Sequence, residues 1–213
     1  MSGEAKFAAA ALAGYVLAGG GSTRFGSDKA LAKLEGQPLL LRMTALVEKV
    51  AGAASVVAPA ERYAGLGVRI VADRWPGAGP LGGIATALLH AAETLPGCEW
   101  NLVLGCDLPF LSGEWLSYLV DYARKSGAQA VLPVSAEGPE PLCACYRTDA
   151  GPALAALLEG GVRKIMAALE RVRMEVLDEG HWKRFDSAGR LFLNMNTAAE
   201  YARIRAGGEE NKP

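Results

Sequence analysis

The chain is poor in the residues that build metal centres and disulfide frameworks. It has 4 cysteines and 2 histidines among 213 residues, no cysteine pair has the CxxC spacing, and His90 and His181 lie far apart. This argues against a zinc site. Cys143 and Cys145 alternate on an apolar run, so we expect both on one side of a strand. We interpret the cysteines as small buried hydrophobic residues in a reducing compartment.

An excess of charge and a long hydrophobic run are also absent. Lys+Arg number 22 and Asp+Glu 23, for a net charge of −1, so no global basic field could hold nucleic acid. Any polyanion must therefore bind at a local site. No apolar run is long enough to span a membrane. The alanine-rich segment 1–13 contains Glu4, and we predict it to be an uncleaved extension of a cytoplasmic protein.

The remaining composition, 51% hydrophobic and 21% charged, is that of an ordinary globular chain. Apolar β-branched runs alternate with helical periodicity, which predicts an α/β fold with a mostly parallel central sheet and helices on both faces. We predict one domain over 14–206 and a flexible tail over 207–213. The predicted strands are 15–18, 55–58, 68–71, 101–104, 130–132, 143–146, 174–177 and 191–194. The predicted helices are 39–50, 81–95, 113–125 with Ser112 as N-cap, 152–158, 163–171 and 197–205.

A glycine-rich segment, LAGGGSTRFGSDK at 17–29, follows the first predicted strand. It is neither a dinucleotide fingerprint nor a P-loop, because Arg24 and Ser27 stand at positions where those motifs need glycine and lysine. Gly19–Gly21 would let backbone N–H groups approach an anion, and Arg24 and Lys29 add positive charge. A glycine turn with two solvated cations is the alternative, which the position directly after a buried strand disfavours.

The run LAGGGSTRFGSDKALAKLEGQPLLL, from Leu17 to Leu41, resembles the signature of the molybdenum cofactor guanylyltransferase (MobA) family. That signature reads roughly LAGGxSxRMGxDKAxxxxxGxPLL, and Phe25 departs from it. Four further segments fit in order, namely GPLGG at 79–83, CDLP at 106–109, EPL at 140–142 and NMNT at 194–197. The resemblance implies a three-layer, Rossmann-like nucleotidyltransferase fold.

The resemblance also implies a nucleotide site. Asp107 follows an apolar strand and could be a helix cap or a ligand; Ser112 can cap the next helix, and the resemblance makes Asp107 the Mg2+ ligand. Asp73 would contact the nucleotide, with an ion pair to Arg74 or a turn cap as alternatives. The implied GTP-binding residues are Leu17, Ala18, Gly19, Gly20, Gly21, Lys29, Asp73, Leu81, Gly82 and Asp107.

The acceptor side is less clearly marked. Asn194 and Asn196 would lie on one face of a strand, where the resemblance implies that they hold the pterin phosphate. Glu140 belongs to the implied acceptor loop. Arg163 is a cation at a predicted helix start, where an acid is usual, so it suggests a local anion or a solvated helix face.

The implied reaction is transfer of GMP from GTP to the phosphate of molybdopterin or Mo-molybdopterin, with release of pyrophosphate. Arg24, Lys29 and Asp107 are the candidate catalytic residues, and Mg2+ is the implied cofactor. Further expected partners are molybdopterin-inserting proteins and acceptor oxidoreductases, with no nucleic acid and no membrane. The alternatives are a CTP-using transferase and a non-catalytic nucleotide- or cofactor-binding protein.

Overall fold

The fold is built around one mixed sheet, seen in a computed structural model that describes residues 12–19, 28–195 and 200. Its strand order is β10-β7-β9-β6-β1-β4-β5, β8 pairs with β7, and β2 and β3 form a separate hairpin. The strands are β1 Leu12–Leu17, β2 Lys33–Leu34, β3 Gln37–Pro38, β4 Ser55–Ala58, β5 Ile70–Ala72, β6 Trp100–Gly105, β7 Ala130–Ser135, β8 Gly138–Pro139, β9 Cys143–Arg147 and β10 Met174–Leu177. The helices are α1 Leu39–Ala51, α2 Pro80–Thr94, α3 Gly113–Lys125, α4 Gly151–Glu159, α5 Ile165–Leu169 and α6 Glu179–Trp182.

The centre of the sheet is parallel. β1 pairs in parallel with β4 on one side and β6 on the other, and Leu17 lies opposite Gly105 at the carboxyl ends. β9 is antiparallel to both β6 and β7. The chain leaves β1 toward β4 and later returns to β6, so the strand order reverses between β1 and β6. Folds of this kind bind ligands in a crevice at the carboxyl ends of the two strands where the order reverses.

Helices cover both faces of the sheet, as predicted. Alternate residues of β1 point to opposite sides: Val16 packs in the core under α1 and α3, and Tyr15 packs in the core under α2 and α4. A Cβ on Gly14 would lie 2.3 Å from Val47 Cγ1, so α1 rests directly on the backbone of β1. The two cores hold the carboxyl edge of the sheet in a fixed position.

Most predicted elements are confirmed, with small shifts at their ends. The side chain of Ser112 accepts a hydrogen bond from the Trp115 amide at 3.2 Å and caps α3, as predicted. β1 begins at Leu12, so the last two residues of the predicted extension 1–13 lie in the sheet opposite Trp100 and Asn101. The predicted helix 197–205 lies outside the described residues except for Glu200, as does the tail 207–213.

The predicted strand 191–194 is wrong. Asp186 Oδ1 accepts hydrogen bonds from the amides of Arg190 and Leu191, which bends the chain into a loop. Leu191 and Phe192 are nevertheless buried, and the Phe192 ring packs edge-on against Trp182. The apolar residues Leu191 and Phe192 therefore pack against the core from a loop and do not belong to the sheet.

The predicted burial of the cysteines is confirmed. Cys98, Cys106, Cys143 and Cys145 are all buried and free, and Cys143 and Cys145 share one core. No helix in the described part of the chain is long and apolar enough to cross a membrane.

Candidate active site

Lys29 and Asp107 meet above the crevice between β1 and β6. Lys29 begins a short 3-10 turn, Lys29–Leu31, which follows the glycine-rich segment. Asp107 follows β6, and its backbone carbonyl accepts a hydrogen bond from the Met195 amide at 2.9 Å. The Lys29 ammonium nitrogen lies 3.7 Å from Asp107 Oδ2. Two segments that are distant in the sequence thus bring opposite charges to the predicted position.

The ion pair is largely removed from solvent. The side chains of Lys29 and Asp107 are 15% and 26% exposed. Burial lowers the pKa of Lys29, and the charge of Asp107 acts in the opposite direction. A cation in such surroundings attracts an incoming anion more strongly than the same cation in water. The site is therefore suited to a phosphate group.

The other carboxylate oxygen, Asp107 Oδ1, is buried and has no hydrogen-bond partner among the residues that the structure describes. It lies against Gly105, where a Cβ would come within 2.5 Å of it. A buried acceptor without a partner costs about 1–3 kcal/mol, and a charged one costs more. A cation bound at this carboxylate would recover that energy.

The donor set around Asp107 fits Mg2+ better than a metal held by protein alone. Within residues 12–19, 28–195 and 200, no three or more His, Cys, Asp or Glu side chains are arranged to hold a metal. Mg2+ is commonly bound by one or two carboxylates together with substrate phosphates. Asp107, with an unpartnered oxygen beside a lysine, matches that pattern.

Asp73 lies at the end of β5 beside the glycine-rich segment. Its Oδ1 accepts hydrogen bonds from the Trp75 amide at 3.0 Å and from the Thr86 hydroxyl at 3.2 Å. A Cβ on Gly19 would lie 3.7 Å from Oδ2, so the carboxylate faces the start of the loop. The turn cap considered for Asp73 is therefore present, whereas Arg74 pairs with Glu93 instead.

The glycines before and within α2 permit close packing. Gly79 has a positive φ of 76° and Pro80 begins the helix. A Cβ on Gly82 would lie 3.1 Å from the Trp75 carbonyl oxygen. Leu81 is buried as a whole residue, backbone included, so the described structure exposes no part of it to a nucleotide.

Leu17 and Ala18 lie at the end of β1, next to this helix. A Cβ on Gly83 would lie 3.1 Å from Leu17 Cδ1. The Ala18 amide donates to the Val57 carbonyl at 3.0 Å, which fixes the point where the glycine-rich segment begins.

Two predicted acceptor residues lie near Asp107. Ser135 Oγ donates to Glu140 Oε1 at 2.7 Å. Burial raises the pKa of Glu140, and the negative charge of Asp107 raises it further. The Asn194 side-chain amide donates to Glu137 Oε2 at 3.2 Å. Asn194 directly precedes Met195, whose backbone amide donates to the Asp107 carbonyl. Asn194 is not in a strand, so the alternation expected for it is wrong.

Arg163 is not brought to this cluster by its described contacts. Its guanidinium donates to the carbonyl oxygens of Leu158 at 2.7 Å and Val162 at 3.0 Å, at the end of α4. α5 begins only at Ile165, so the expected cation at a helix start is displaced. Gly20, Gly21, Arg24 and Asn196 lie outside the described residues.

Sequence reasoning missed Asp28, Tyr63 and Gly105. Asp28 caps the turn that contains Lys29, and an aspartate before a short turn is a signal that could have been used. Tyr63 contacts Asp28 from a loop 35 residues away, which no local pattern reveals. Gly105 adjoins Asp107 Oδ1 at the strand end, which only the folded chain shows.

A mostly parallel sheet with a lysine and an aspartate over its central crevice defines an α/β protein of the nucleotide-handling class. Residues 14–172 match the model of the MobA-like NTP transferase domain, and the chain belongs to that family of nucleotidyltransferases.

Relatives span nearly the whole chain. A probable molybdenum cofactor guanylyltransferase of Deinococcus radiodurans is 37% identical over 94% of this chain and 97% of its own length. Another, of Opitutus terrae, is 39% identical over 82% of this chain and 89% of its own. The crystal structure of molybdopterin-guanine dinucleotide biosynthesis protein A from Archaeoglobus fulgidus superposes with a TM-score of 0.79 at 27% identity, covering 92% of this chain and 98% of that one.

Proposed function

We propose that this nucleotidyltransferase transfers GMP from GTP to the phosphate of molybdopterin, forming the guanine dinucleotide and pyrophosphate. The observation that carries the proposal is the half-buried Lys29–Asp107 pair over the β1–β6 crevice, with one carboxylate oxygen that has no partner among the described residues. The guanine nucleotide and the pterin acceptor are supported by the guanylyltransferase relatives that match over nearly the full chain. We also propose that the chain from the start of β1 at Leu12 to residue 206 forms one nucleotidyltransferase domain.

The transfer needs no general base, because the acceptor phosphate is already an anion. One of its oxygens attacks the α-phosphorus of GTP, the bond from that phosphorus to the bridging oxygen breaks, and pyrophosphate leaves with the electron pair. Catalysis then depends on alignment and on charge stabilisation. Lys29, whose ammonium is desolvated, stabilises the negative charge on the α-phosphate and the leaving group. We assign the same role to Arg24 and phosphate binding to the amides of Gly19–Gly21.

Asp107 would hold Mg2+ together with phosphate oxygens of the nucleotide. When bound, the ion would supply neutralisation of the triphosphate charge. The Lys29 ammonium pairs with Asp107 Oδ2, and Asp107 Oδ1 is the oxygen that has no described partner. Asp73, next to Gly19, is proposed to contact the nucleotide through the oxygen that faces the loop.

The acceptor is proposed to bind on the side of Asp107 where Glu140 and Asn194 lie. The Asn194 amide is a donor for a phosphate oxygen, and Asn196 is proposed to share that role. Glu140 accepts a hydrogen bond from Ser135 Oγ at 2.7 Å, and burial raises its pKa. Arg163 is left out of this proposal because its guanidinium binds the end of α4.

The test is a reaction of the purified protein with Mg2+, GTP and molybdopterin, assayed for the dinucleotide and for pyrophosphate. We expect both products in equal amounts, and neither when molybdopterin is omitted. Binding of GTP without release of pyrophosphate would instead indicate a non-catalytic carrier. Absence of dinucleotide under these conditions would contradict the proposal.

Base preference is tested separately. In the same reaction CTP should replace GTP poorly. The thermal unfolding midpoint with Mg2+ should rise more with GTP than with CTP, because the preferred ligand stabilises the native state more. A larger shift with CTP would assign the cytidine nucleotide instead.

A further inference from the structure

The hydroxyl of Tyr63 lies between the two ends of the glycine-rich segment. It is 2.9 Å from the Ala18 carbonyl oxygen and 2.9 Å from Asp28 Oδ2. Ala18 follows β1 directly, and Asp28 precedes Lys29, so the two acceptors lie on either side of residues 19–27. A single side chain therefore connects the beginning of the segment to its end.

Asp28 connects Tyr63 to the turn that contains Lys29. Its Oδ1 accepts a hydrogen bond from the Ala30 amide at 3.1 Å and caps the turn that begins at Lys29. Its Oδ2 accepts a second contact, from Arg62 Nε at 2.9 Å. The loop after β4 thus holds the Asp28 carboxylate in place through Arg62 and Tyr63. That carboxylate in turn caps the Lys29–Leu31 turn.

The Tyr63 hydroxyl keeps its proton at neutral pH. The residue is 2% exposed, and burial raises its pKa, with the hydrogen bond to Asp28 as the next cause. A phenol has one proton to donate, so that proton is shared between the carbonyl of Ala18 and the carboxylate of Asp28. Loss of the hydroxyl would remove one donor from two acceptors together.

We propose that Tyr63 is a positioning residue for the phosphate-binding segment: it holds residues 18 and 28 together and so places the Lys29 ammonium against Asp107. This rests on the proposed function, in which Lys29 and the Gly19–Gly21 amides bind the phosphates of GTP. Tyr63 touches neither substrate nor metal in this scheme and acts through Asp28.

A purely structural role is the competing explanation, because the Tyr63 ring packs in the core. Tyr63→Phe keeps the ring and removes only the hydroxyl. The chain offers a matched control in Tyr15→Phe: Tyr15 is 1% exposed, and its hydroxyl bonds His90 Nδ1 at 2.8 Å. Any general cost of losing a buried phenol hydroxyl should appear in both variants.

The first measurement is amide hydrogen exchange and needs no turnover. The Ala30 amide donates to Asp28 Oδ1, and the Leu31 amide donates to the Asp28 carbonyl at 3.0 Å. In Tyr63→Phe both amides should exchange about 10-fold faster than in the wild type, since one of the contacts holding Asp28 is lost. In Tyr15→Phe their exchange should be unchanged.

The second measurement is a double-mutant cycle on kcat/KM for GTP. Tyr63→Phe should lower it about 10-fold, and Tyr15→Phe should leave it unchanged. In a Lys29→Ala background, Tyr63→Phe should cost little more, because the two residues act through the same ammonium.

If Tyr63→Phe and Tyr15→Phe gave the same amide exchange rates and the same kcat/KM, Tyr63 would have only a packing role, and the proposal would be wrong. Full additivity with Lys29→Ala, or faster exchange with unchanged kcat/KM, would also overturn the proposal. If the wild-type chain forms no product from GTP, the proposed function fails, and the exchange comparison alone decides the role of Tyr63.

Discussion

The polar side chains near the two ends of β6 differ in whether their buried atoms have hydrogen-bond partners. Near its start, the amide of the fully buried Asn101 donates to the Tyr146 carbonyl at 3.2 Å and to Thr148 Oγ1 at 2.9 Å. Just beyond its end, Asp107 Oδ1 has no partner among the described residues. A complete hydrogen-bond network therefore lies near the start of β6, and a carboxylate with one oxygen lacking a described partner lies two residues beyond its end.

The difference separates stability from function. Hydrogen bonds that are complete in the folded chain, such as those of Asn101, contribute to the free energy of unfolding. A buried oxygen without a partner, such as Asp107 Oδ1, lowers the stability of the folded chain, and a cation bound to this carboxylate would recover that energy. Substitutions at the two ends should accordingly change different quantities, and four variants test this.

Asp107→Asn should have the largest effect. Turnover of GTP should fall on the order of 1,000-fold, because the amide cannot replace the charge that a cation requires. The free energy of unfolding should change by less than about 1 kcal/mol, since Lys29 loses its counter-charge but the unpartnered anionic oxygen is removed. Pyrophosphate release and urea unfolding measure the two quantities, and retained turnover would contradict the metal assignment.

Lys29→Ala should come next. We expect turnover to fall about 100-fold, because one cation that stabilises the phosphates is lost. Burial lowers the pKa of Lys29, so its charged form already costs energy in the folded state and its removal should change stability little. An unchanged kcat in steady-state kinetics would remove Lys29 from the mechanism.

Asn101→Ala should reverse the pattern. It should lower the free energy of unfolding by about 1–3 kcal/mol, because the carbonyl of Tyr146 and the hydroxyl of Thr148 lose their donor inside the core. Turnover per folded molecule should stay at the wild-type value. If turnover fell as far as stability, the two ends of β6 would not be independent.

Glu140→Gln should have the smallest effect, seen only as a pH dependence. The folded pKa of Glu140 is raised above its ordinary value of 4.5, so the native state binds more protons than the unfolded state in that window. Wild-type stability should therefore fall as the pH rises from 4.5 toward the folded pKa, by less than about 1 kcal/mol, and then level off. Glutamine keeps an acceptor for Ser135 and lacks this slope. Urea unfolding across the window would contradict the assignment if both chains showed the same slope.

The sequence contained enough to predict the sheet, because its strands are buried runs that alternate with amphipathic helices. It also led us to expect Lys29 and Asp107 on the segments that follow β1 and β6, and the structure brings the two side chains together. Their catalytic roles stay a prediction. The segment 191–194 shows the limit of such patterns. Its Phe192 ring packs against Trp115 and Trp182 from a loop, and burial alone does not distinguish a loop from a strand.

The contacts that support the site could not be predicted in the same way. Tyr63 is linked to Ala18 across 45 residues, and Asn194 is linked to Glu137 across 57. Such contacts depend on where the loops meet after the sheet has formed. Arg163 shows the converse, because a cation without a local acid looked available for a ligand but binds the backbone carbonyls of Leu158 in α4 and of its neighbour Val162.

Gly105 has a consequence for how this chain tolerates genetic variation. Any β-carbon there would come within 2.5 Å of Asp107 Oδ1 and 3.3 Å of Leu142 Cβ, so even alanine must displace the aspartate. A saturation library at this codon, selected for turnover, should return glycine alone. A methyl group added at Gly65 or Gly127 would have no described neighbour within 4 Å, so both positions should accept many substitutions in the same screen.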